Sequence, residues 1–279
     1  MRVLQVSDLT ITSHGGPALV RGISFSMSKG ERVGLIGESG SGKSLTALAI
    51  MGLLPAGLSA LGKIVISEGA ASSIELLSSK ESTLNQIRGE VVGVIFQEPL
   101  TALDPLMRVG KQIAEPLKRH RNLSGHALQT SVIEALDEVR INDPERIARA
   151  YPHEISGGER QRVAIAMALA CEPTLLIADE PTTALDVTVQ AEILALLDGI
   201  VERRNMSLLF ISHDLAVVSQ ITDRVIVLKD GEFIESGSIK EITNNPAHSY
   251  TRDLVASALQ LDSALDFANM KGGPNEINT

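Results

Sequence analysis

The sequence predicts an α/β fold built around a parallel sheet. Three observations carry that reading: short apolar runs at intervals along the chain, helical stripes between them, and a glycine-rich turn joining one run to the helix after it. The runs lie at residues 33–36, 91–96, 175–178, 208–211 and 225–228, and are apolar on both faces, as strands covered by helices on either side must be. Residues 190–204 place Ile193, Leu196, Leu197, Ile200 and Val201 on one stripe, and residues 44–54 read as an apolar helix that Pro55 ends.

The remaining segments follow in order. The N-terminal MRVLQVSDLTI alternates apolar and polar residues and reads as a strand, without the unbroken apolar core of a secretory leader. The most apolar stretch, residues 45–61, is broken by Thr46, Pro55, Gly57 and Ser59, short of the roughly 18 consecutive apolar residues of a membrane span. Between Glu98 and Ala150 the pattern turns helical throughout, with amphipathic stretches at 109–119 and 125–140, and reads as an insert in the α/β core. After Gly231 the chain is mixed and polar, and from Met270, with Gly272, Gly273 and Pro274, it reads as a frayed end.

Composition narrows the function classes. The 279 residues are 44% hydrophobic and 21% charged, enough apolar surface for a sizeable core, which excludes a disordered or fibrous chain. Lysine and arginine number 25 against 34 acidic residues, and the net charge of −9 does not attract nucleic-acid backbones or anionic lipid. A single cysteine, Cys171, excludes an intrachain disulfide and any thiolate zinc or iron–sulfur site made within the chain, and fits a reducing compartment.

Gly37, Glu38, Ser39, Gly40, Ser41, Gly42, Lys43 and Ser44 complete the pattern G-x-x-x-x-G-K-[ST], directly after the strand RVGLIG and at the start of the helix SLTALAIMGLL. The chemistry requires these residue types. Glycines let backbone N–H groups converge on phosphate oxygens, the helix N-terminus adds its positive dipole end, Lys43 adds a point charge, and the Ser44 hydroxyl suits Mg²⁺, which prefers oxygen ligands. The strand LLIADE ends in Asp179 and Glu180 at the C-terminal sheet edge, where ligands of α/β folds bind. An isolated Asp-Glu pair reads better as two solvated acids, but the upstream phosphate loop reverses that preference. Asp179 then holds Mg²⁺, through water, and Glu180 orients a water for in-line attack on the terminal phosphoryl group.

The run YPHEISGGERQR, residues 151–162, singles out one family. With it in order come Gln97 after the strand VVGVIF, Ala184-Leu185-Asp186 after EPTT, and His213 after LLFIS. The chain resembles the ATP-binding subunit of an ABC transporter. That resemblance implies a P-loop NTPase fold: a RecA-like core with an N-terminal antiparallel β portion in residues 1–97 and 172–240, an inserted helical subdomain in 98–171, and a C-terminal extension in 241–279. It implies ATP and Mg²⁺ as cofactors, with Glu180, His213 and Lys43 as catalytic residues. Nucleotide binding falls to Gly37 through Ser44, Gln97, Asp179, Ser156, Gly157, Gly158 and Glu159, and the metal to Ser44, Gln97 and Asp179. Two such subunits pair head to tail, each ATP lying between the phosphate loop of one and the Ser156-Gly157-Gly158 segment of the other.

FQEPLTALDP, the run YPHEISGGERQRVAIAMALACEPTLLIADEPTTALDVTVQAEIL and the segment Asn245-Pro246-Ala247-His248-Ser249-Tyr250-Thr251-Arg252 are similar to the peptide and nickel importer branch, with Ser249 where that branch has proline. The branch implies integral membrane permease subunits, a second, similar or identical, ATP-binding subunit, an extracytoplasmic substrate-binding protein reached indirectly, no nucleic acid, and residence on the cytoplasmic face of the cell membrane. The alternatives are a soluble ABC ATPase acting on ribosomes or DNA, an exporter subunit, and a different P-loop enzyme such as a small-molecule kinase. Three departures stand out. Where many members place an adenine-stacking aromatic, residues 10–14 offer only His14. Glu159 replaces the commoner glutamine and sets a carboxylate near the triphosphate, which repels it unless Arg160 or Arg162 compensates. No C-terminal cysteine cluster is present.

Overall fold

The computed structural model describes residues 1–67, 73–97, 103–182 and 186–259. Expectations that fall on residues 98–102, on Ala184 and Leu185, and on the tail from Met270 lie outside them. Ten strands form two sheets among the described residues. The first is antiparallel, in the order β2 (Ala18–Ser28), β1 (Arg2–Ser13), β4 (Leu58–Ser67), β5 (Ser73–Glu75). The second runs β10 (Glu232–Ser238), β9 (Arg224–Lys229), β3 (Arg32–Ile36), β8 (Ser207–Ser212), β7 (Leu175–Asp179), β6 (Val92–Ile95), parallel from β9 to β6 with β10 antiparallel at the edge.

The five apolar runs are the five parallel strands, and their alternate residues feed two cores. Leu175, Ile177, Leu209 and Ile211 face the antiparallel sheet and the helix α1 (Lys43–Met51). Leu176, Ala178, Leu208 and Phe210 face the helices on the other side. A strand buried on both faces leaves no polar position in its interior, which is why these runs lack the alternation of the N-terminal strand. Helix α1 stops at Gly52, a left-handed cap at φ 62° whose N–H returns to the helix, three residues before the Pro55 expected to end it.

After a kinked helix α2 (Glu81–Glu90), residues 103–170 contain helices and no strand among those described: α3 (Val109–Arg121), α4 (Gly125–Glu138), α5 (Pro144–Arg149), a 3-10 turn (Pro152–Glu154) and α6 (Gly157–Leu169). Helix α7 (Val187–Arg203) starts earlier than its apolar stripe suggests, because the Asp186 side chain accepts the Val189 N–H and caps it. Helices α8 (Leu215–Ile221) and α9 (Ile239–Asn244) follow, and a last helix covers 249–259. No helix among the described residues is long and apolar enough to cross a membrane.

Candidate functional site

Four neighbouring parallel strands deliver the candidate residues to one edge of the sheet. The couple Ile36–Ser212 on β3 and β8 is followed at once by Gly37 and His213. The couple Ala178–Ile95 on β7 and β6 is followed two residues on by Glu180 and Gln97. Register therefore sets the phosphate loop, His213, the Asp179-Glu180 pair and Gln97 side by side at the C-terminal ends, the place an α/β sheet offers to a ligand.

The loop closes on itself. Gly37, Gly40 and Gly42 have φ of 152°, 83° and 94°. At Gly37 a Cβ would lie 2.1 Å from Leu228 O, so only glycine fits. Lys43, 5% exposed, donates from Nζ to Gly37 O at 2.7 Å and Glu38 O at 2.9 Å. Burial is the main cause that lowers its pKa, against Glu180, Asp179 and Glu38. Asp179, 8% exposed, accepts the Ser44 hydroxyl at 3.1 Å. Burial pushes its carboxyl up from the ordinary value, the Ser44 bond and Lys43 oppose, and Glu180 adds to the rise. A buried carboxylate and a hydroxyl in contact are a hard-oxygen pair, and a cation beside them offsets the burial.

Glu180 sits one residue past β7 with φ 45°, a strained conformation for a non-glycine residue, fixed by its N–H donating to Ile211 O at 2.9 Å. Its Oε1 lies 3.0 Å from His213 Nδ1. Gln97 is exposed beyond β6.

The segment Ser156 to Glu159 is of a different kind. Ser156 caps α6, its hydroxyl accepting the Glu159 N–H at 3.2 Å while the Glu159 carboxylate accepts the Ser156 N–H at 2.8 Å. Neither Arg160 nor Arg162 is the arginine that pairs with Glu159. Arg146, on α5, donates to Glu159 Oε1 at 3.0 Å, whereas Arg160 is turned to Pro152 O and Arg162 to Val139 O and Glu192. Burial alone raises the Glu159 pKa, but the Ser156 hydrogen bonds, with Arg146 behind them, leave it lowered overall. Ser156 and Gly157 are exposed, and a Cβ on Gly157 would touch nothing within 4 Å. His14, in the turn just past β1, donates its backbone N–H to Gly57 O, just before β4, and holds its ring Nδ1 at 2.7 Å from the same oxygen.

Besides Arg146, two contributors escape a sequence reading. Gln161, fully buried on α6, donates to Pro181 O at 2.5 Å and so ties that helix to the residue after Glu180. Tyr250 reaches the phosphate loop from the far end of the chain, its hydroxyl oxygen accepting the Glu38 N–H. The NPAHSYTR pattern marks that segment without showing what it touches.

Fold and site together define a nucleoside triphosphatase of the P-loop class: a glycine-built anion cradle, a hydroxyl and buried carboxylate side by side, and a second carboxylate at the strand end. The chain belongs to the ABC transporter family, whose model matches residues 20–183, and is an ABC-type ATPase. It is 46% identical over 262 residues to a protein of Brucella ovis named as a peptide import ATP-binding protein, covering 93% of this chain and 77% of that one. It is 47% identical over 246 residues to the glutathione import ATP-binding protein GsiA of Escherichia coli, covering 88% of this chain but only 40% of GsiA. Among solved structures it is similar to the ATP-binding cassette MJ0796, dimeric and bound to ADP and Pi after hydrolysis, with TM-score 0.73, 29% identity and coverage of 85% of this chain and 98% of that one. It is also similar to cbiO1 from Clostridium perfringens, part of the transporter complex cbiONQ, with TM-score 0.73, 25% identity and coverage of 95% and 99%.

Proposed function

We propose that this chain hydrolyses Mg-ATP to power an importer whose cargo is a peptide or a nickel-type complex. The observation that carries the chemistry is the convergence, on adjacent strand ends, of the phosphate loop, the Ser44–Asp179 contact and the Glu180–His213 pair. The peptide and glutathione import names of the relatives support the importer class.

In this reading the loop amides and Lys43 hold the triphosphate, and Ser44, Asp179 and Gln97 hold the metal. When bound, Mg²⁺ neutralises charge on the outer phosphoryl oxygens. Glu180 orients the attacking water and receives its proton. His213 holds the Glu180 carboxylate in place and contacts the terminal phosphate. Ser156, Gly157, Gly158 and Glu159 address the ATP of a second ATP-binding subunit, paired head to tail. Residues 98–171 form the helical subdomain that presses on integral membrane permease subunits, residues 1–97 and 172–240 the core, and 241–279 the extension. The assembly works at the cytoplasmic face of the membrane, takes cargo from an extracytoplasmic binding protein, and uses no nucleic acid.

Mild-detergent purification of the tagged chain from its native cells, with ATPase assay of the eluate, tests this reading. Polytopic membrane proteins together with ATP turnover are expected. An active chain recovered alone, or with ribosomes or DNA, contradicts the transport assignment and leaves the nucleotide chemistry standing.

A further inference from the structure

The peptide group between Gly37 and Glu38 is held at both ends. Its carbonyl, Gly37 O, accepts Lys43 Nζ at 2.7 Å, and its N–H, on Glu38, donates to Tyr250 Oη at 3.0 Å. In a trans peptide these two groups point in opposite directions, so a bond at one end fixes the plane that presents the other.

Tyr250 is itself held from several sides. It is 5% exposed, and Lys229 Nζ stands 4.5 Å from its ring centroid, at the end of the strand whose Leu228 carbonyl abuts Gly37. Its backbone N–H donates to His248 Nδ1 at 3.1 Å, and the Glu235 carboxylate accepts the N–H groups of Ala247 and His248 at 2.8 and 3.1 Å. The NPAHSYTR segment thus has a physical purpose: it delivers one hydroxyl, rigidly, to the first turn of the phosphate loop.

We propose that Tyr250 is a positioning residue of the nucleotide site. Its hydroxyl fixes the Gly37–Glu38 peptide, whose carbonyl seats Lys43, and so couples the segment 245–259 to nucleotide affinity. The inference rests on the reading of Gly37–Ser44 as the triphosphate cradle.

Tyr250→Phe tests it on the full chain, because the ring, its packing and the Lys229 contact stay while one oxygen is lost. The Kd for ATP is expected to rise about five- to tenfold, the scale of one hydrogen bond in a buried setting, with turnover at saturating ATP within about twofold of wild type. The Glu38 amide is expected to exchange with solvent faster by a similar factor, without nucleotide present, while the amides of β3 keep their protection. Wild-type Kd and wild-type Glu38 exchange in the variant overturn the proposal. So does a lowered melting temperature with unchanged Kd, which assigns Tyr250 to packing alone. If the wild-type chain itself fails to bind ATP, the functional reading falls, and this inference with it.

Discussion

The phosphate loop and the segment Ser156 to Glu159 are both glycine-bearing turns that open a helix, yet the chain treats them in opposite ways. The first is closed: Lys43 and Asp179 are buried, Gly37 abuts Leu228, and a Cβ on Gly42 would lie 2.8 Å from Val20 Cγ2. The second is open: Gly157 faces empty space and Ser156 is exposed, though the capping box and Arg146 make its backbone rigid. The loop proposed to hold the triphosphate is closed by contacts within its own chain. A solvent-facing helix start, held by its own capping box with Gly157 open beside it, suits an anion delivered on another chain's surface.

The largest effect that sharpens this contrast belongs to the closed region. Glu180→Gln should leave ATP affinity near wild type and lower phosphate release by about 10²–10⁴, the range for loss of a positioned base. Near-normal turnover in that variant removes Glu180 from its role. Next comes a paired glycine test. Gly42→Ala puts a Cβ on a residue at φ 94° against Val20 and should destabilise the chain by ~1–3 kcal/mol, read by chemical denaturation. Gly157→Ala, with nothing within 4 Å, should leave the denaturation midpoint unchanged or slightly raised. Equal losses at both glycines break the comparison.

Smaller effects lie in the cap of α6. Glu159→Ala removes half of the capping box and should cost about 1 kcal/mol, most of it from the cap rather than from the half-exposed Arg146 pair. Glu159 has a folded pKa lowered from its ordinary value, so its contribution is present above the unfolded pKa and is lost as pH falls through the folded one. The stability gap between wild type and Glu159→Gln should therefore close as the solution is acidified below the ordinary glutamate range, and a gap that widens on acidification assigns the wrong sign to the carboxylate.

The five parallel strands were legible because each is apolar through its interior, and the N-terminal strand because it alternates. Strands β4 and β5 carried no such signal, since both are largely half-exposed or exposed, β4 is broken by Gly62 and Lys63, and β5 is three residues long. β10 was hidden for the same reason in a polar stretch. Within the candidate site, the loop could be read because its parts are contiguous. Arg146, Gln161 and Tyr250 could not, because their partners lie 13, 20 and 212 residues away and only folding brings them together.

The central claim is that the phosphate loop is complete in its own chain while the Ser156-Gly157-Gly158 face serves the nucleotide of a partner. Gly157→Asp tests it most directly, with ATP Kd and steady-state turnover measured on the same preparation. A Kd within about twofold of wild type with turnover lowered by about 10² or more is the expected result, since an added carboxylate blocks only the open face. Loss of ATP affinity in step with turnover, or turnover left intact, contradicts the claim.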